Sequence, residues 1–164
     1  MAESKYGKYF LNELSPEQRE KGFGKNPRFS VWTDNDIIQG SNCFSVMVMD
    51  EKSLSVFHGP HTHKDPEVLV AIGMNPEDPM DLGAELEMCM GKEMEVHKIT
   101  RTTLVYIPAN FLHAPFRVTR VDRPFIFIQS QYAGKMTETS YAKLIPEEER
   151  EGMIVLNLDG DDSK

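Results

Sequence analysis

Cysteine is scarce in this chain: 164 residues carry only two, Cys43 and Cys89. They form no C-x-x-C pair, which excludes a zinc ribbon and a thioredoxin-like motif, and both read as reduced core thiols. Positive charge is also short, with 18 Lys and Arg against 26 Asp and Glu and a net charge of −8. The basic residues are scattered, whereas a nucleic-acid surface normally needs them clustered, so no nucleic-acid partner is expected. No apolar run approaches the ~18 residues of a membrane-spanning helix, and Met1 to Lys8 lack the apolar stretch of a secretory signal. The expectation is a soluble cytoplasmic protein with no membrane partner. Tryptophan occurs once, at Trp32, and reads as packing in the core or at a subunit interface.

What is present is ordinary for a globular protein: 40% apolar and 27% charged residues. The length suits one domain with a full core and is too short for two. Ser15-Pro16-Glu17-Gln18 reads as an N-cap, a proline at the first helical position and a capping-box partner, predicting a short N-terminal helix that Gly22 and Gly24 end. From Phe29 the pattern changes to short β-rich runs broken by turn residues: Phe44 to Met49, Leu54 to Phe57, Glu67 to Ile72, Ala84 to Met90, Thr103 to Ile107, Phe116 to Val121 and Phe125 to Gln131. That spacing predicts an all-β, antiparallel sandwich or barrel. Asn75 to Gly83, with two prolines and a closing glycine, reads as an exposed loop over the barrel mouth. Met153 to Leu158 is one more strand candidate, for an edge or a partner subunit, and the acidic end Asp159 to Lys164 reads as frayed. The division is thus an N-terminal extension over 1–27, a β-barrel domain over 28–135 and a C-terminal extension with an acidic tail over 136–164.

The most informative phrase is His61-Thr62-His63-Lys64-Asp65-Pro66-Glu67, with Pro108-Ala109-Asn110-Phe111-Leu112-His113 well downstream. Two imidazoles one residue apart share a face of extended backbone, and a carboxylate four residues on reaches the same point if the chain turns. A third imidazole from a distant segment completes a three-histidine, one-carboxylate shell for a single divalent transition metal: Fe, Mn, Ni, Co or Zn rather than Ca or Mg. His58 and His97 match nothing in this pattern and read as ordinary.

These residues resemble the cupin superfamily, whose two motifs run roughly G-x5-H-x-H-x3,4-E-x6-G and G-x5-P-x-G-x2-H-x3-N. The first motif keeps His61, His63 and Glu67 at matching spacing, and the second keeps Pro108 and His113. The flanks depart: Ser55 stands for the leading glycine, Gly73 comes one residue early, Thr102 replaces the second motif's glycine and Arg117 its final asparagine. Asn110 replaces the turn glycine, and asparagine tolerates the left-handed conformation better than most residues. Covering about residues 40 to 132, the resemblance implies an antiparallel jelly-roll barrel with His61, His63, Glu67 and His113 as metal ligands inside it. Four side chains would leave one or two coordination positions for water, substrate or dioxygen.

Strand alternation carries the reading to further residues. If His113 points inward, Arg117 does too unless a bulge intervenes, and its guanidinium would suit an anionic, carboxylated substrate. Glu85 and Glu87 share one face of the run Ala84 to Met90; if that face met the metal, Glu85 or Glu87 would serve as a general base, and alternation alone does not choose the face. Tyr106 and Tyr132 are candidate acids or hydrogen-bond donors. The catalytic candidates are therefore Arg117, Tyr106 and Glu87. The leading function is a metal-dependent enzyme, a dioxygenase or a lyase or isomerase, acting on a small carboxylated or oxygen-bearing substrate by Lewis-acid activation. The alternative is a non-catalytic, metal-containing ligand-binding protein, and a purely structural metal would come with a filled barrel. A homodimer is expected, with the segment before Phe44 in the contact.

Overall fold

The computed structural model describes residues 5–13, 15–16 and 29–158. The helix expected from Ser15 onward and the acidic tail over 159–164 lie outside the described residues, apart from Ser15 and Pro16. A single 3-10 turn, Gly7–Tyr9, is described ahead of the barrel.

Twelve strands follow among the described residues: β1 (Phe29–Thr33), β2 (Cys43–Met49), β3 (Phe57–His58), β4 (His61–Thr62), β5 (Glu67–Gly73), β6 (Asp81–Met90), β7 (Glu95–Arg101), β8 (Thr103–Ile107), β9 (His113–Val121), β10 (Phe125–Gln131), β11 (Thr139–Ser140) and β12 (Met153–Ile154). They form two sheets. The first runs β1-β2-β10-β5-β8, antiparallel throughout. In the second, β9 is central: β6 lies on one side with β7 beyond it, and β3 and β4 lie on the other, extended by β12 and β11. The expected all-β, antiparallel jelly-roll architecture is what the chain adopts, with one parallel pair, β12 on β3.

Period-two alternation decides which face of each sheet turns inward. Met47 from β2, Leu69 and Ala71 from β5, Phe125 and Phe127 from β10 meet Leu86 and Met88 from β6, Ile99 from β7 and Val118 from β9 in one buried core. The positions between them face out, and the two outer faces differ in kind. On β6, β7 and β9 the outward residues include Glu85, Glu87, Lys98, Arg117 and Arg120, with Lys98 Nζ 3.0 Å from Glu85 Oε1 and 3.7 Å from Glu87 Oε1. On β2, β5, β8 and β10 the outward residues are almost all aliphatic or aromatic.

Several elements differ from the sequence expectation for local reasons. Leu54 to Phe57 does not run as one strand, because Glu51–Ser55 winds into a 3-10 turn. Its start is held by a reciprocal cap in which the Asp50 side chain accepts from Lys52 N–H and Ser53 Oγ accepts from Asp50 N–H. Strand β7 was not expected, since Ile99 is its only buried residue and an edge strand with wet faces leaves no apolar alternation. The loop from Asn75 ends early: β6 begins at Asp81, Leu82 is fully buried, and Gly83 supplies a φ of 67°. Of Met153 to Leu158, only Met153–Ile154 is a strand, and it pairs within the chain. The C-terminal segment is part of the second sheet, and it brings Thr137 and Glu138 into the buried interior.

Candidate metal centre

His61 opens β4, His63 follows it, Glu67 opens β5 and His113 opens β9. His61 and His113 are direct cross-strand partners, so the two histidine segments meet in one sheet while Glu67 arrives from the other. The turn between Pro108 and His113 is locked to the first segment. Asn110 adopts a φ of 60°, as its place in the motif required, and its N–H donates to His63 O at 2.7 Å. The ligand atoms of His61, His63, Glu67 and His113 all lie within 4.8 Å of one another and could hold a metal ion. The four residues are only 3, 2, 1 and 1% exposed.

The polarity of the group is fixed by its outer partners. Each imidazole sets Nδ1 against a backbone carbonyl: His61 against Gly59 O at 2.7 Å, His113 against Phe111 O at 3.0 Å, and His63 against Thr137 O. Nδ1 therefore carries the proton and donates, which leaves the Nε2 lone pairs aimed into the group. Nε2 of His63 and of His113 are buried with no hydrogen-bond partner, at 3.4 and 3.3 Å from Glu67 Oε2. The other carboxylate oxygen, Oε1, is held by Gln129 Nε2 at 2.6 Å and Gln131 Nε2 at 3.5 Å. Lone pairs and a carboxylate oxygen facing one another out of water call for a cation among them.

Proton affinities reflect the same demand. Burial opposes charge on Glu67, but the imidazoles of His113 and His63 together outweigh it and hold the carboxyl below its ordinary range. Burial also lowers His63, yet the Glu67 carboxylate outweighs it and raises that imidazole. His61, by contrast, is pushed well below the ordinary histidine value by burial and then by His58, His113 and His63. The donor set, three imidazole nitrogens and one carboxylate oxygen without thiolate, fits a borderline transition metal.

The other sequence candidates are not brought to this group. Between β6 and β9, Met88 pairs with Phe116 and Met90 with His113, so β9 spends three residues where β6 spends two. Ala114, at a φ of 67°, sits in that bulge. Alternation therefore changes phase after His113: Phe116 and Val118 turn inward, and Arg117 turns out, its guanidinium 3.6 Å from the centroid of the Phe57 ring. The inward Arg117 expected by simple alternation is corrected by this bulge. Glu87 is the cross-strand partner of Arg117 and shares its outer face, beside Lys98. Tyr106 projects from the outer side of β8 and is 54% exposed, and Tyr132 is exposed as well. Cys43 is a buried thiol, pushed up to about 12 by burial with Asp34 and Glu67 nearby. Cys89 lies on the outer face, half-buried, rather than in the core.

Sequence reasoning passed over the residues that do surround the group. Gln129 and Gln131 occupy inward positions of β10, two apart, in register with Phe125 and Phe127. Polar residues on the apolar phase of a strand were a readable signal. His58, taken as ordinary, stacks on His61 with ring centroids 4.1 Å apart, and its Nε2 is 3.0 Å from the carboxylate of the buried Glu138. Glu138 sits outside any periodic run, where spacing carries no information.

The rolled antiparallel barrel encloses an H-x-H-x3-E group and a third histidine from a distant strand, the arrangement that the resemblance in the sequence implied. No family model matches the chain, and no curated protein matches it. Solved structures similar to it include oxalate decarboxylase from Bacillus subtilis, described with Mn(II) centres, at 12% identity and a TM-score of 0.45 over 71% of this chain and 29% of that one. A second is the DMSP lyase DddQ from Ruegeria pomeroyi, at 17% identity and a TM-score of 0.44 over 83% and 63%. A third is hydroxypropylphosphonic acid epoxidase from S. wedmorenis, at 17% identity and a TM-score of 0.37 over 56% and 44%. The chain spans about 30% of the length of the oxalate decarboxylase structures it matches. No helix among the described residues is long and apolar enough to cross a membrane.

Proposed function

We propose that this chain is a metal-dependent enzyme of the cupin type, in which His61, His63, Glu67 and His113 hold one divalent ion: Fe, Mn, Ni, Co or Zn. The observation that carries the reading is the pair of buried, partnerless Nε2 atoms on His63 and His113, facing Glu67 Oε2. A bound ion would supply Lewis acidity to a small oxygen-bearing or carboxylated substrate, in dioxygenase chemistry if it is redox-active and in lyase or isomerase chemistry if it is not. The chain's own part is to fix three imidazoles in one tautomer, to keep Oε1 of Glu67 tied to Gln129 and Gln131, and to exclude water with Met90, Phe111 and Phe116. Arg117, Tyr106 and Glu87 stay outside this proposal, because their outward placement gives them no access to the ion. The divisions are an N-terminal extension over 1–27, the barrel domain over 28–135 and a C-terminal extension over 136–164, whose β11 and β12 complete the second sheet. We place it in the cytoplasm as a homodimer; the two unpaired cysteines fit a reducing compartment.

A non-catalytic reading has its own observation. A cavity of about 10 Å³ lies in the apolar core between Leu69, Leu86, Ile99, Phe116 and Phe127, room for no more than a water molecule, and the four candidate ligands are almost wholly buried. That filling suits a metal that only ties the two sheets together. The test is metal analysis of purified protein, paired with aerobic and anaerobic turnover of small carboxylated and hydroxylated compounds. Metal with turnover supports the enzyme, metal without turnover supports the second reading, and protein that takes up no metal contradicts both.

A further inference from the structure

Two buried polar atoms in the barrel lie outside the metal group: Nε1 of Trp32 and Oγ of Ser45, neither with a hydrogen-bond partner among the described residues. The fold brings them together. Trp32 is the cross-strand partner of Ser45, and Ser45 of Gln129, so the three stand side by side on one face of the first sheet. Side chains of such direct partners start about 4.5 to 5.5 Å apart. The alternation of β2 shows that this face is the inner one: Cys43, Ser45 and Met47 are buried while Phe44 and Val48 are exposed, and Trp32 packs against the core. The adjoining inward row is Cys43, Gln131 and Glu67, so the trio borders the metal group. Gln129 belongs to both, since its Nε2 lies 2.6 Å from Glu67 Oε1. Trp32 and Gln129 point inward yet are only half-buried, which marks this row as a place where the interior approaches solvent.

A buried polar group left unmatched is costly, and native chains keep few of them. Ser45 is 6% exposed, so bulk water does not match its hydroxyl. An indole N–H can only donate and a hydroxyl can donate as well, so both groups call for an acceptor oxygen. The surroundings set its charge. Among the described residues no Lys or Arg is buried, and the Glu67 carboxylate stands one row away. A carboxylate beside Trp32 and Ser45 would be buried without a counter-ion, whereas a hydroxyl, carbonyl or amide oxygen would be matched by two neutral donors. We propose that Trp32 and Ser45 form a substrate subsite beside the metal centre, taking a neutral acceptor oxygen of a substrate whose other, anionic end lies on the ion. The proposal rests on the metal-dependent reading above and narrows its substrate class to monocarboxylates that carry a hydroxyl or carbonyl oxygen at their far end, against dicarboxylates. Inward rows lie about 6.8 Å apart along a strand, which a chain of about four to six carbons spans.

Full-length protein loaded with cobalt(II) tests this, because the visible spectrum of the ion reports a carboxylate arriving on it. Straight-chain acids of about four to six carbons with a terminal hydroxyl are titrated against the unsubstituted acid and the dicarboxylate of equal length. Wild type, Trp32→Phe and Ser45→Ala are compared, with cobalt content and circular dichroism recorded on each. At one chain length the hydroxy acid is expected to bind wild type about 10-fold or more tightly than either analogue, and the advantage to fall to about 2-fold or less in both variants. Cobalt content and the ligand-free spectra are expected to match wild type, which a merely structural loss would not allow. Ser45→Ala removes a single oxygen and keeps the test valid if Trp32→Phe disturbs packing. Cobalt-loaded wild type with no preference at any length, as a trapped water matching both donors would give, overturns the subsite and leaves the metal centre intact. So does tighter binding of the dicarboxylate, or a preference that both variants keep. Protein that takes up no cobalt overturns the subsite and the metal centre together.

Discussion

The inner and outer sides of β9 make an instructive contrast. Inside, His113 meets His61, His63 and Glu67 in a group where every imidazole is pinned by a backbone carbonyl and two lone pairs are left without a partner. Outside, Arg117 lies over Phe57, next to Glu87 and Lys98, in the kind of charged, half-solvated lattice that coats most β-sheets. Both sets contain residues that chemistry can use. Only the inner one leaves them buried, converging and unsatisfied, and that is what separates a site from a surface.

His113→Ala or His63→Ala is expected to reduce bound metal from about one per chain to background, because each removes one of four donors from a closed group. Elemental analysis after desalting reads this, and full occupancy in either variant with the fold intact would remove the group from consideration. Chelation should come next. An ion shared by two sheets at 100 times its dissociation constant contributes about 2.7 kcal/mol, so its removal is expected to lower Tm by roughly 5 to 10 °C in calorimetry. Acidification acts in the same direction, since the imidazoles must be unprotonated to bind: metal is expected to be retained at about pH 7.5 and released as the pH falls below about 6. Retention through dialysis at about pH 5 would contradict that.

Smaller effects sharpen the boundary of the site. Gln129→Ala frees Oε1 of Glu67, and Glu138→Gln weakens the hold on His58, which stacks on His61; each is expected to weaken metal binding by about 10- to 100-fold in competition titrations. Arg117→Ala is expected to leave metal affinity unchanged and to cost about 0.5 to 1 kcal/mol of stability through the lost contact with Phe57. A large loss of metal in Arg117→Ala would contradict the outward placement of Arg117.

Much of this was legible in the chain. The strands Thr103–Ile107 and Phe125–Gln131 follow the predicted limits, and the four candidate ligands converge as their spacing and the cupin resemblance implied. Spacing survives folding because it depends only on local backbone geometry. The face of Arg117 did not survive, because one extra residue in β9 reverses the alternation from there to Val118, where a second bulge shifts it again, and a bulge leaves no periodic mark in a single sequence. Strand β7 was hidden for a different reason: an edge strand with a single buried residue, Ile99, has no apolar phase to read. Glu138 was hidden because it reaches the site from a late segment held by the β11 and β12 pairings, contacts that only the fold creates.

The most direct test of the central claim is X-ray absorption at the metal edge of protein reconstituted with a single divalent ion, compared with His61→Ala. The account predicts a light-atom shell at about 2.0 to 2.2 Å with the scattering signature of three imidazoles, falling to two in the variant or lost with the metal altogether. A spectrum without imidazole scattering, or one that His61→Ala leaves unchanged, would contradict it.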